Sequence, residues 1–485
     1  MKKTSHSADQ KEKKNKPRVG EIFETDVITM DSEGYGMAVY QDIPVLVSGI
    51  LPGEQARVKI IHVGHRKIFV SVVKIIRPAL SRLKSSPCSK AVFCDGCPLI
   101  SMSYPDQLAW KQGQVSREFA RYKSLSGTPV SQILPSPRQL NYRNSARLVV
   151  SGKFSDPVIG IYRRNSHDVI DVGDCPLHHP LINNVVQAVK EGIRKGKVPI
   201  YSVRTDSGIL RYLVVRISES ENRAMVVFVT ARRSFNEIHH LAKHLKGTVP
   251  EVGVMVQNVN CSAGNNIFGE RDYFITPKKE LRETIGNIIF SISPRSFFQI
   301  NTGGARLIYE KVHELGQLTG RETVIDLYCG IGGVSLFLAR EAHRVFGIES
   351  ADSAVADAGR NALLNGIRNC SFEAGDAAEL LEEFRHKSSK VDLIILNPPR
   401  KGCDEEVLKD AALLAPSRII YVSCSPNTLA RDLDILDRLG YNTSAVQPVD
   451  MFPQTSHLEN IALLEPKQIP SAIQGNNPDK KTFAL

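Results

Sequence analysis

Thr323-Val324-Ile325-Asp326-Leu327-Tyr328-Cys329-Gly330-Ile331-Gly332-Gly333 decides the fold of this 485-residue chain. Its opening residues have the composition of a strand buried on both faces, as strands of parallel sheets are. The glycines then permit a tight turn, positive φ and close approach of the backbone to a ligand. Gly332 to Arg340 continues as helix, and Val345-Phe346-Gly347-Ile348-Glu349 follows as the next strand. Val391 to Leu396 and Arg418 to Val422 repeat the strand composition. Strands alternating with helices predict a doubly wound, Rossmann-like parallel sheet, with its ligand at the carboxyl ends of the strands.

The glycine turn points to S-adenosylmethionine. A dinucleotide site uses a similar turn, but with the spacing G-x-G-x-x-G; here it is G-x-G-G, and Asp326 ends the strand. A carboxylate there serves a pyrophosphate poorly and the cationic methionine part well. Glu349, at the end of the following strand, is suited to accept both ribose hydroxyls, and Asp376 to accept from the adenine amine. Each acid alone could instead be a helix cap or a solvated loop residue, roughly one time in three, but all three at successive strand ends make that reading weak.

Cys424, in Tyr421-Val422-Ser423-Cys424-Ser425-Pro426, ends a later strand of the same sheet. A lone free cysteine is more often a small buried hydrophobe than a nucleophile. Beside a methyl donor it has a chemical use. Thiolate addition at carbon 6 of a pyrimidine makes carbon 5 nucleophilic, and a base must later remove the proton from carbon 5. Asp450-Met451-Phe452-Pro453-Gln454-Thr455-Ser456-His457-Leu458-Glu459-Asn460 supplies that base, with Glu459 the choice and His457 the alternative.

Other segments divide the chain. Residues 1–17 form a basic tail, read as a disordered arm. Residues 18–78 show short alternating strands broken by Gly34, Gly36, Gly49 and Pro52-Gly53, which suits a small five-stranded barrel of the oligonucleotide-binding type. Residues 79–293 form a β-rich central domain. Its helix, 104–122, carries Leu108, Val115 and Phe119 near one face and Lys111, Arg117 and Glu118 elsewhere. Residues 294–466 are the catalytic domain, and 467–485 a loose tail. Cys88-x5-Cys94-x2-Cys97, with Cys175 as a distant fourth ligand, suits zinc or a [4Fe-4S] cluster. His178 or His179 are substitutes for Cys175 if the metal is zinc.

Together these motifs resemble the RNA 5-methyluridine methyltransferase family, over nearly the whole chain after the tail. The matching runs are Ser296-Phe297-Phe298-Gln299-Ile300-Asn301, the 326–333 turn, Asn397-Pro398-Pro399-Arg400, the Cys424 run and His457-Leu458-Glu459. Gly34-Tyr35-Gly36 and Leu51-Pro52-Gly53-Glu54 likewise resemble the TRAM domain of RNA-modifying enzymes. The resemblance implies a class I methyltransferase domain with Cys424 as nucleophile and Glu459 as base. It places Gln299, Tyr328, Gly333, Glu349, Asp376 and Asn397 around cofactor and target base, and it implies iron–sulfur rather than zinc at Cys88, Cys94, Cys97 and Cys175. Asn397 departs from the family's usual aspartate.

The formal charge of +11 suits a polyanionic partner. The expected partner is RNA, ribosomal RNA ahead of transfer RNA, with Arg143 and the pair Arg400-Lys401 as candidate phosphate contacts. No apolar run approaches the ~18–20 residues that span a bilayer, no secretory signal is evident, and nine cysteines without one suggest a reducing compartment. A cytoplasmic monomer is the expectation. Two rival readings are an amino-group methyltransferase using Asn397-Pro398-Pro399, which has no use for Cys424, and a non-catalytic RNA-binding protein, which has no use for the glycine turn.

Overall fold

The computed structural model describes residues 16–467 except 92, 164–165, 263–265 and 388–389. The tails expected over 1–17 and 467–485 therefore fall almost wholly outside the described residues.

Strands Ile22–Asp26, Thr29–Met30, Gly36–Tyr40, Ile43–Val47, Gln55–Val63 and Ile68–Arg77 form one six-stranded sheet. Five strands were expected; the short pair Thr29–Met30, which bonds to Gly36 and Met37, adds the sixth. Alternation sorts the residues, with Ala56, Val58 and Ile60 inward and Arg57 and Lys59 outward. The sheet curls enough for Phe23 to stack on Tyr40 at 3.8 Å between centroids, while Tyr40 Oη donates to Glu21 at 2.5 Å.

Helix α1 (Tyr104–Phe119) starts where the Ser103 side chain accepts the Asp106 N–H, with proline in the first turn. Val115 and Phe119 are buried as expected, and so is Lys111, which the sequence pattern puts with the polar residues. Its ammonium pairs with Asp450, a partner far along the chain that local periodicity does not reveal.

The central region is a seven-stranded sheet. In spatial order its strands are Arg271–Phe274, Val252–Val259, Arg223–Thr230, Leu210–Ser218, Ser145–Lys153, Asp156–Tyr162 and Val169–Asp171. Helices α2 (Pro180–Gly196) and α3 (Glu237–Thr248) cover one face. The β-rich reading passed over α2, although Leu181, Ile182, Val185, Val186, Val189 and Ile193 recur at helical spacing and are all buried.

The C-terminal sheet has seven strands: β1 (Thr323–Leu327), β2 (Arg344–Glu349), β3 (Cys370–Ala374), β4 (Leu393–Leu396), β5 (Arg418–Ser423), β6 (Tyr441–Val449) and β7 (Glu459–Pro466). Their order is β3-β2-β1-β4-β5-β7-β6, with β7 antiparallel between β5 and β6. Helices α4 (Thr302–Gly316), α5 (Gly333–Leu338), α6 (Asp352–Leu364), α7 (Ala377–His386), α8 (Glu405–Leu413) and α9 (Pro426–Arg438) flank it. Successive strand residues alternate between two cores. Val324, Leu393, Ile420 and Ile461 face α4 and α5, whereas Ile325, Ile394, Ile419 and Ala462 face α7, α8, α9 and α1. Both faces being covered explains the nearly continuous apolar composition of β1 and β4. Among the described residues no helix is long and apolar enough to cross a membrane.

Candidate active site

The site forms where β5 and β7 stop pairing. Val422 pairs with Ile461 and Ser423 with Asn460, so Cys424 and Glu459 stand on the next rung. Asn460 Nδ2 donates to the Ser423 carbonyl at 3.3 Å and secures that end of the ladder. Ser425, directly after the cysteine, caps α9 by accepting the Thr428 N–H. Burial pushes the Cys424 thiol above its ordinary range, and Glu459 adds to the rise. Burial likewise carries the Glu459 carboxyl from 4.5 to about 8. Arg400 opposes both shifts, which puts its guanidinium within electrostatic reach of the two acids.

Arg400 had been read as a phosphate contact, yet it stands at this centre. Its Nη2 lies 3.2 Å from His457 Nε2. Burial, then the neighbouring Arg400 charge, lowers His457 to about 4, so the ring is neutral near pH 7. Helix α9 grips the segment that carries Arg400. Thr428 Oγ1 donates to the Arg400 carbonyl at 3.2 Å, Arg431 Nη2 to the Lys401 carbonyl at 3.0 Å, and the Cys403 N–H to Asp432 Oδ2 at 2.9 Å. Gly402, at φ +79°, lies so close that a Cβ would come within 2.5 Å of Asp432 Oδ2. Cys424 and Arg400 are thereby fixed to one helix. Arg143, the other candidate phosphate contact, is half-buried near Cys97 and Cys175, and its Nε has no partner. Lys401 pairs with Asp404.

On the cofactor side, Asp326 is 1% exposed, and burial raises it to about 7. Ser335 Oγ donates to its Oδ2 at 2.5 Å, while Oδ1 is buried with no partner. An orphaned carboxylate oxygen at the end of β1 fits a cationic ligand group, as expected for the methionine part of S-adenosylmethionine. Gly333 opens α5, and a Cβ there would stand 2.4 Å from Tyr309 Oη. Tyr328 holds φ +62°, a strained backbone of the kind that collects at functional sites. Glu349 accepts the Gly330 N–H at 3.2 Å and the Ala351 N–H at 3.1 Å, so it also braces the turn. Asp376 caps α7 through the Ala378 and Glu379 amides. Asn397 follows β4, between the turn after β1 and Cys424 after β5, with its N–H directed at the Leu327 carbonyl, 3.4 Å away. Gln299 precedes α4, its carbonyl accepting from Asn144 Nδ2 at 2.9 Å.

The four expected metal ligands, Cys88, Cys94, Cys97 and Cys175, form no disulfide. An ion pair between Lys90 and Asp174 ties the Cys88–Cys97 segment to Cys175. Burial raises Cys94, Cys97 and Cys175, and the charges of neighbouring cysteines raise them further. The soft donor set fits a thiolate-bound centre, although among the described residues no group of three or more His, Cys, Asp and Glu stands in metal-ligating geometry. The six-stranded sheet meets this segment, since Ser48 Oγ donates to Asp95 at 2.6 Å. It also meets the 450–457 loop. A Cβ at Gly34, which has φ +86°, would lie 2.8 Å from Pro98 Cβ and 3.6 Å from Ser456 Cβ.

Known proteins share this architecture. The family description tRNA (Uracil-5-)-methyltransferase matches residues 103–467. An uncharacterized RNA methyltransferase of Geobacter sulfurreducens is 58% identical over 462 residues, covering 95% of this chain and 93% of that protein. Another, from Halalkalibacterium halodurans, is 37% identical over 92% of this chain and 97% of its own length. Among solved structures, the Pyrococcus abyssi tRNA (uracil-54, C5)-methyltransferase in complex with S-adenosyl-L-homocysteine superposes with a TM-score of 0.74. It is 27% identical, and the match covers 91% of this chain and all of that one.

Proposed function

The chain belongs to the tRNA (uracil-5-)-methyltransferase family, and from that premise we propose that it methylates carbon 5 of a specific uridine in RNA through a covalent adduct on Cys424. The observation that carries this reading is the shared rung of Cys424 and Glu459, with the Arg400 charge beside both.

S-adenosylmethionine, when bound, supplies an electrophilic methyl group. Asp326 Oδ1 and Glu349 are the groups suited to its ammonium and ribose, with Asp376, Tyr328, Gly333, Gln299 and Asn397 completing the pocket shared with the base. The Cys424 thiolate adds to carbon 6, which moves an electron pair onto carbon 5 and its neighbouring carbonyl. Arg400 favours that thiolate over the thiol. Carbon 5 takes the methyl group, the methyl–sulfur bond breaking to leave S-adenosylhomocysteine, and still holds its proton. Glu459, ionised, removes the proton; the electron pair re-forms the ring double bond as the sulfur leaves. A carboxylate titrating at about 8 is a far stronger base than an imidazole titrating at about 4. That difference supports Glu459 over His457.

Cys88, Cys94, Cys97 and Cys175 are the residues that would hold a [4Fe-4S] cluster, linking the central region to the six-stranded sheet. Methyl transfer passes no net electrons to the protein, so a structural role is sufficient. The sheet itself, with Arg57 and Lys59 outward, suits RNA binding in the manner of a TRAM barrel. The TRAM-like and cysteine motifs support ribosomal RNA as substrate, with transfer RNA, the Pyrococcus enzyme's substrate, as the alternative. A uridine within a helix must leave its stack before sulfur reaches carbon 6.

RNA containing 5-fluorouridine tests the chemistry, because fluorine cannot leave as a cation. With S-adenosylmethionine it should trap a covalent protein–RNA complex that Cys424→Ala cannot form. An amino-group methyltransferase or a simple RNA-binding protein traps nothing. Mapping the 5-methyluridine missing from a deletion strain identifies the RNA.

A further inference from the structure

The loop from Asp450 to His457 leads from the end of β6 to Glu459, and helix α1 holds it from a distant part of the chain. We infer that Lys111 and Gln107 of α1 are positioning residues for Glu459, so that they govern removal of the carbon 5 proton rather than sulfur attack. The inference rests on the reading of Glu459 as base.

The contacts are directed and buried. Lys111 Nζ lies 2.5 Å from Asp450 Oδ1 and donates to the Phe452 carbonyl at 3.0 Å, and neither charged side chain has any exposure. Tyr104 Oη takes the other Asp450 oxygen at 2.8 Å. Gln107 Nε2 donates to Gln454 Oε1 at 2.9 Å, and its own oxygen accepts the Gln454 N–H at 3.0 Å. Gln454 holds φ +69°, a strained value for a residue with a side chain, which surrounding bonds must enforce. The Leu99 N–H, two residues past Cys97, donates to the Gln454 carbonyl at 3.1 Å.

From that anchored loop a chain of contacts leads into the site. The Phe452 ring stands edge-on to His457 at 6.3 Å between centroids, and His457 meets Arg400. Two residues after His457 comes Glu459. A buried ion pair adds little net stability over an apolar pair of similar volume. What it provides here is direction, since it joins α1 to both Asp450 and the Phe452 carbonyl, which the Leu134 carbonyl and Thr455 also hold.

The test separates adduct formation from its collapse. Lys111→Met combined with Asp450→Asn removes both charges, and Gln107→Met is a second variant should the first fail to fold. Each is mixed with S-adenosylmethionine and RNA extracted from cells lacking this protein, either ordinary or grown with 5-fluorouracil. Trapping on the fluorinated RNA should proceed within about twofold of the parent, while methylated product on ordinary RNA forms roughly tenfold more slowly, a misplaced base losing part of the roughly 10²–10⁴-fold that general-base catalysis supplies. A denaturation-resistant complex should then accumulate on ordinary uridine. Equal loss of trapping and product in a folded variant overturns the inference, as does unchanged product formation. Glu459→Gln serves as reference. If it accumulates no complex while the parent is trapped normally, the base assignment itself fails and the inference falls with it.

Discussion

Arg400 Nη2 faces His457 Nε2 at 3.2 Å, and because a guanidinium has no lone pair the imidazole nitrogen accepts. His457 thus holds Arg400 through the lone pair that a general base would need.

Removing the arginine charge should expose its work. In Arg400→Gln both Cys424 and Glu459 lose the neighbour that lowers them, so less thiolate and less carboxylate exist at neutral pH. We expect kcat/KM at pH 7 to fall by roughly a hundredfold, with the profile between pH 6 and 10 displaced to higher pH. A uniform loss with an unmoved profile would assign Arg400 to RNA phosphate instead.

Glu459 should lower the stability of its own fold at alkaline pH. Its carboxyl titrates at about 8 when folded, against 4.5 without burial. Between those values the folded chain retains a proton that the unfolded chain has lost. Its contribution is therefore fully present below the unfolded value and is lost as pH rises through the folded one. Glu459→Gln, which never ionises, should melt at a higher temperature than the parent at pH 8 and at a similar temperature at pH 5. The same difference at both values would show that the carboxyl does not titrate in this window.

Asn397 tests recognition of the base. Its amide oxygen is suited to accept the uracil imide N–H while the amine donates to a ring carbonyl, and a turned amide would match cytosine. Asn397→Asp should raise the preference for uracil over cytosine, measured as the ratio of kcat/KM on matched RNAs. If rate and preference both stay unchanged, the side chain does not touch the base.

Some of this was legible in the sequence because it is local. The run from Thr323 to Gly333 announces strand, turn and helix by composition alone, and Cys424 and Glu459 each sit at a strand end beside apolar residues. What eluded reading depends on partners far apart in the chain. Lys111 looks like a solvated helix residue until Asp450 is brought to it. Arg400 resembles any surface arginine next to a lysine until α9 turns its loop toward the cysteine. The insertion of β7 between β5 and β6 leaves no mark in periodicity, yet it puts Glu459 beside Cys424.

Anaerobic purification should yield protein with iron and acid-labile sulfide in equal amounts, and Cys97→Ser should lose both. Zinc without iron in the anaerobic protein would replace the cluster with a thiolate zinc site.

Gly34→Ala should cost about 1–3 kcal/mol in chemical denaturation, because it combines a left-handed backbone with a Cβ driven into Pro98. A variant as stable as the parent would mean that the loop gives way freely.

The crowding at Gly34 also bears on how such enzymes change targets. A six-stranded sheet exchanged from a relative would have to seat its own loop at this position against Pro98 and Ser456. The six-stranded sheet and the loop that leads to Glu459 meet at one residue without a side chain. An exchanged sheet must therefore match the surface that receives it, Pro98 and Ser456 included.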